Sequence, residues 1–156
     1  MTRRSERKET SPDLGILSSR LLFAVQEELF ETLAAQGHPA LRPQHGAVLA
    51  YLDEEGSRAT ELARRSGQHK QVVGKLLDEL EALGYVERQP DPADRRAKLI
   101  VPTEIGVDEM MRSDAVLSAI EMRLAAAIGT DAYETFKHTF TRLTAEQRGW
   151  RTVSRD

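Results

Sequence analysis

From Asp13 to about Gln36, apolar residues recur at steps of three and four: Leu14, Leu17, Leu21, Leu22, Val25, Leu29 and Leu33. This spacing lays down one face of a long amphipathic helix, which Gly37-His38-Pro39 ends. The pattern restarts at Pro43 and runs to Glu54, with Val48, Leu49 and Leu52 inward, Pro43 in the first turn and Gly56 closing the segment. Thr60 is placed to cap a short helix from Glu61 to about Ser66, and Gly67 supplies the turn after it. A further helix from about Lys70 to Leu83 carries Val73, Leu76, Leu77, Leu80 and Leu83 on its inner stripe, with Gly84 just past its end.

The period then changes. Residues 85–88 and 98–101 read as short strands around the turn-rich, charged stretch 89–97, which predicts a β-hairpin with a long basic tip. Thr103 caps a helix of about 25 residues ending near Gly129, and Thr130-Asp131 opens a last helix striped with Tyr133, Phe136, Phe140 and Leu143. Residues 1–12 are polar, end in Ser11-Pro12, and read as a flexible N-terminal arm. The expected fold class is mainly α with a small β-hairpin wing, a winged helix-turn-helix. Residues 13–156 form one domain, in which 40–103 are the winged lobe and 13–36 and 104–150 are long flanking helices.

In such a lobe the second helix enters the major groove and the hairpin reaches the neighbouring groove or backbone. Opposite the inner stripe lie Lys70, Gln71, Gly74, Lys75 and Asp78. Lys and Gln suit guanine and adenine edges or phosphates. Gly74 costs about 1 kcal/mol against Ala within a helix, but it lets the backbone approach a duplex. A solvated helix face would look the same; the hairpin behind it shifts the reading to DNA. Arg95 and Arg96 at the tip suit the narrow minor groove. Asp94 would repel phosphate, so its role is to hold a neighbouring Arg or the turn backbone. His69, Arg42 and Thr60 fall at helix starts, where backbone N–H groups favour anions, and are weaker candidates for phosphate contact.

Composition refines this picture. A chain of 156 residues and 17.5 kDa favours one domain. Its 22 Lys/Arg against 25 Asp/Glu give −3, which excludes a histone-like polybasic protein. Residues 58–98 nevertheless hold nine Lys/Arg and seven Asp/Glu, the only positive segment. The absence of cysteine removes disulfides, Cys-ligated zinc, iron–sulfur clusters and thiol sensing. No apolar run approaches the roughly 18–20 residues of a membrane span, and the charged N-terminus lacks the apolar core of a signal peptide, so a cytoplasmic location is expected. No Ser–His–Asp context, phosphate loop or ligand cluster points to an enzyme or a cofactor. The histidines His38, His45, His69 and His138 lack metal-ligand spacing, although His45 with Glu27, Glu28 or Glu31 keeps a metal-responsive regulator as an alternative.

Glu61-Leu62-Ala63, then His69–Glu81, then Gly84-Tyr85-Val86-Glu87-Arg88 resemble the helix-turn-helix of the multiple-antibiotic-resistance regulator (MarR) family. Residues 91–106, with Asp94-Arg95-Arg96 at the tip and Thr103-Glu104-Ile105-Gly106 entering the next helix, resemble that family's wing signature. The similarity covers about residues 13–145. It implies a DNA-binding transcriptional regulator, most simply a repressor, whose N- and C-terminal helices interlock in a homodimer. Such a dimer would read a near-palindromic operator with half-sites roughly 10 bp apart. The resemblance also implies release by a small aromatic or phenolic effector, with no pocket residues assigned. Three positions depart from the family pattern: His69 where Ser or Thr caps the recognition helix, Gly74 where Ser or Thr is common, and Pro102 in place of Leu. A winged-helix adaptor acting through protein contacts is the remaining alternative.

Overall fold

Residues 3–153 are described by a computed structural model. Within the expected arm, Arg4–Thr10 form a short helix, α1, with the Glu6 carboxylate accepting the Arg3 N–H at 2.9 Å. Asp13 starts α2 (Leu14–Ala35) by accepting the Ile16 N–H at 3.0 Å. At its end Gly37 takes φ +105°, and the His38 N–H reaches back to the Leu33 carbonyl at 2.9 Å. This six-to-one closure is a Schellman cap, which only a left-handed residue permits without strain. Leu29 and Leu33 are buried, whereas Leu14, Leu17, Leu21, Leu22 and Phe23 are exposed.

The helix expected over 43–54 is shorter than the apolar pattern suggested. A 3-10 turn, Pro43–His45, leads into α3 (Gly46–Leu49). Beyond it the Tyr51 and Leu52 N–H groups bond three residues back, and the Asp53 N–H goes to the Ser57 hydroxyl. Ser57–Arg58 then form a two-residue strand, β1, too short to leave a period in the sequence. Helix α4 (Ala59–Ser66) begins directly after it with Arg58 at the cap position. Thr60 therefore lies in the first turn of α4 and is not its cap.

Gly67, at φ +74°, turns the chain into α5 (Lys70–Ala82). A second Schellman cap closes α5: Gly84 takes φ +83° and the Tyr85 N–H bonds to the Leu80 carbonyl at 2.9 Å. Leu83, expected on the inner stripe, is 40% exposed because the helix has already ended there. Strands β2 (Val86–Pro90) and β3 (Lys98–Pro102) pair antiparallel, and β1 adds to the other edge of β3 in the order β1-β3-β2. The wing is thus three-stranded, with Ser57 and Arg88 both opposite Ile100. Leu49, Leu62, Val73, Leu77, Leu80 and Ile100 lie in one core that joins α3, α4 and α5 to the sheet.

Thr103 fixes the start of α6 (Glu104–Ile128) to the corner between α5 and β2. Its N–H bonds to the Tyr85 carbonyl at 3.0 Å, and its hydroxyl donates to the Gly84 carbonyl while accepting the Gly106 N–H. The two Schellman caps also bring His38 and Tyr85 together. The imidazole Nδ1 lies 2.9 Å from the Tyr85 hydroxyl, and Nε2 lies 2.9 Å from Asp108. A carboxylate only accepts, so Nε2 carries the proton shared with Asp108.

The chain forms two compact units, Met1–Val116 and Leu117–Asp156, with the boundary inside α6. In the second unit α7 (Thr130–Val153) follows Gly129, at φ +98°. Lys137 pairs with Glu121 at 2.8 Å, and the rings of Phe136 and Phe140 stack with centroids 5.4 Å apart. Phe136, Leu143 and Trp150 are exposed. Among the described residues no helix is long and apolar enough to cross a membrane.

Candidate nucleic-acid interface

Helices α4 and α5 form the helix-turn-helix, and burial of Val73, Leu76, Leu77 and Leu80 decides which face of α5 looks outward. That face carries Lys70, Gln71 and Lys75, all exposed, with exposed His69 at the helix start. The His69 backbone is extended as a cap requires, but its side chain makes no capping bond. Gly74 lies on the same face, and a Cβ built there meets nothing within 4 Å. No packing requirement explains this glycine.

The acids of α5 are tied elsewhere. Arg88 of β2 bonds both Asp78 and Glu81 and so clamps the strand to the helix. Glu79 accepts from His45 Nε2 at 3.1 Å, and that bond is the main reason its carboxyl lies below the usual range. His45 is itself buried, and its Nδ1 accepts the Arg42 N–H at 3.0 Å. Its two nitrogens are thereby used, away from Glu27, Glu28 and Glu31. Among the described residues no group of three or more His, Asp or Glu is disposed to hold a metal.

The wing tip is built on aspartates. Asp91 is buried, and its Oδ1 accepts the Ala93 N–H at 2.8 Å while Oδ2 takes Arg58 at 2.6 Å. These bonds, the backbone one first, hold its carboxyl below the ordinary range. Asp94 accepts the Arg96 N–H at 3.0 Å, so it shapes the turn backbone. Arg95 and Arg96 are exposed, and with Lys70 their side chains enter no ion pair among the described residues. Thr60 and Arg42 are exposed as well. The Arg42 N–H, however, is already taken by His45, which leaves only its side chain for an anion.

The sequence reading missed three supports of this surface: the Arg58–Asp91 clamp, the Arg88 fork and the His45–Glu79 bond. Each joins residues at least seven positions apart in the chain. Only the mixture of charge in 58–98 hinted at them.

Known proteins share this architecture. The sequence matches the model of the MarR family over residues 41–97. The HTH-type transcriptional regulator YcgE of Bacillus subtilis (strain 168), described as uncharacterized, is 36% identical over 103 residues. That match spans 65% of this chain and 65% of the relative. The crystal structure of CouR from Rhodococcus jostii RHA1, bound to p-coumaroyl-CoA, superposes with a TM-score of 0.69 at 30% identity. It covers 85% of this chain and 92% of CouR. A MarR family transcriptional regulator from Rhodococcus sp. RHA1 agrees at TM-score 0.67 and 30% identity over 85% of this chain and 93% of its own. The chain belongs to the MarR family. Membership makes the chain a transcriptional regulator of winged-helix fold and not an enzyme.

Proposed function

We propose that the protein is a homodimeric repressor that reads a near-palindromic DNA operator and is released by a small aromatic effector. The observation that carries this reading is the joint exposure of Lys70, Arg95 and Arg96 beside acids that are each turned toward a partner. Lys70, Gln71 and Lys75 would meet base edges and phosphates in the major groove, with His69 beside them and Gly74 allowing close approach. Arg95 and Arg96 would enter the adjacent minor groove while Asp94 holds their turn. The side chains of Arg42 and Thr60 would add phosphate contacts.

Two copies suit this surface. Each reading head offers only a few outward cations, so a second copy would add to the affinity of the first. The exposed Leu14, Leu17, Leu21 and Phe23 of α2, with Phe136 and Leu143 of α7, are apolar stripes that a second copy would cover. In this organisation residues 40–103 read DNA, while 13–36 and 104–150 build the dimer base behind the arm 1–12. The effector class is supported by CouR, which was crystallised with p-coumaroyl-CoA. The absence of cysteine leaves thiol chemistry out of the signal. The protein would act in the cytoplasm, where its operator lies.

Selection of bound duplexes from a random pool tests the reading. The expected product is an inverted repeat with half-site centres about 10 bp apart. Failure to enrich any duplex would refute DNA reading and favour an adaptor acting through protein contacts.

A further inference from the structure

We infer that His45 is a positioning residue of the DNA-reading surface: it keeps Glu79 from closing a hydrogen bond on Lys75 and so leaves the Lys75 ammonium available to phosphate. The inference rests on the DNA-binding role proposed above and deepens it.

Lys75 and Glu79 stand four residues apart on α5, the spacing at which oppositely charged side chains meet on a helix face. Left to itself, Glu79 would neutralise a cation of the reading face. It reaches Lys75 only as a loose ion pair, without a hydrogen bond. Lys75 Nζ stands 4.0 Å from Glu79 Oε1, beyond hydrogen-bond reach, and the Lys75 side chain is 80% exposed. The other oxygen, Oε2, is held by His45 Nε2 at 3.1 Å, and the Gln44 side chain also acts to lower the carboxyl's pKa.

His45 is built to donate at that position. Its ring is buried, and Nδ1 accepts the Arg42 N–H at 3.0 Å, so the neutral tautomer must carry its proton on Nε2. The 3-10 turn Pro43–His45 thus presents a fixed donor to the helix. Asp78 and Glu81, the remaining acids of α5, are withdrawn in the same manner by Arg88. His45 does for Glu79 what Arg88 does for its neighbours.

The test measures affinity for a duplex selected by the unaltered protein, as a function of salt. The variants are Gln44→Ala/His45→Leu, the same pair with Glu79→Gln, Glu79→Gln alone and Lys75→Gln alone. Loss of one phosphate contact lowers the log–log salt slope by about 0.9 and affinity about fivefold near 0.15 M salt, for each reading head. Gln44→Ala/His45→Leu is expected to show both changes, and adding Glu79→Gln to restore both, since no carboxylate then competes for Lys75. A loss that persists with Glu79→Gln, or one without a change in slope, would overturn the inference, because His45 would then be only structural. Should Gln44→Ala/His45→Leu fail to fold, the single variants decide. Glu79→Gln should keep the parent slope and Lys75→Gln should lower it, and the reverse of either overturns the inference. If the unaltered protein selects no duplex, the DNA-binding role itself falls, and this inference with it.

Discussion

Replacing Glu109 by Gln is expected to stabilise the protein, and to do so only above acid pH. Glu109 lies on α6 beside His38 and Tyr85 and is 3% exposed. One carboxylate oxygen accepts from the Ser113 hydroxyl, whereas Oε2 has no partner among the described residues. Burial raises its pKa above the ordinary carboxyl range; Ser113 and His38 oppose the shift and Asp114 adds to it. A buried polar atom left without a partner costs about 1–3 kcal/mol and more when it is charged, and Gln leaves that position unpartnered but uncharged. Gln keeps the shape and the Ser113 contact but cannot ionise. The expected gain at neutral pH is about 1–2 kcal/mol, or roughly 2–8 °C in Tm for a chain of this size.

The pH dependence has a definite sign. A carboxyl whose folded pKa exceeds its unfolded value binds more protons in the native state, so the native state loses stability as pH rises between the two. The advantage of Gln should be absent below about pH 4, grow through that interval and level off above the folded pKa. Asp108 has the opposite tendency, held low by Arg112 and then His38, but it titrates in both proteins and cancels in the difference. Urea melts of parent and variant from about pH 4 to about pH 8 measure that difference. A gain that does not vary with pH, or a loss at the alkaline end, would refute the reasoning.

Arg96→Ala should weaken duplex binding several-fold without moving Tm, because the side chain is exposed and enters no ion pair among the described residues; an unchanged gel shift would remove the wing from the interface. Gly74→Ala should raise stability by about 1 kcal/mol, since the new Cβ meets nothing within 4 Å, while lowering duplex affinity. Binding equal to the parent would show that α5 does not lie close to DNA. Gly106→Ala should destabilise by about 2 kcal/mol or more, because its Cβ would come within 2.2 Å of the Tyr85 carbonyl oxygen and α6 would have to shift; thermal melts decide this.

The long helices were legible in the sequence because each carries several turns of one period and stops at a residue with a physical reason to stop. Gly37, Gly67, Gly84 and Gly129 all take positive φ, and Asp13 and Thr103 both hold capping N–H groups. Legibility failed where local and tertiary demands diverge. The apolar run over 43–54 keeps its inward residues, yet Ser57 takes the Asp53 N–H and the helix stops short. The strand Ser57–Arg58 exists because β3 offers it an edge, which no local pattern encodes. Exposed candidates such as Lys70 and Arg96 could be picked by facing alone. Their supports, Arg58, Arg88 and His45, act through partners distant in sequence, so only the folded chain reveals them.

The net charge of residues 58–98 therefore understates their cationic surface. Glu61 is engaged by Arg64, Asp78 and Glu81 by Arg88, Glu79 by His45, and Asp91 by Arg58. Glu87 accepts from Gln89, and Asp94 from the Arg96 N–H. Each acid of the segment thus has a local partner, while Lys70, Lys75, Arg95 and Arg96 project outward. Counterion release depends on cations that touch phosphate, not on the formal sum. In the proposed dimer, four such contacts on each of two reading heads would give a log–log salt slope of about −7, whereas the formal excess of two per head would give about −4. Fluorescence anisotropy on a selected duplex over a range of salt separates the two values. A slope near the smaller one would mean that the acids still screen the surface and that their pairing does not shape DNA affinity.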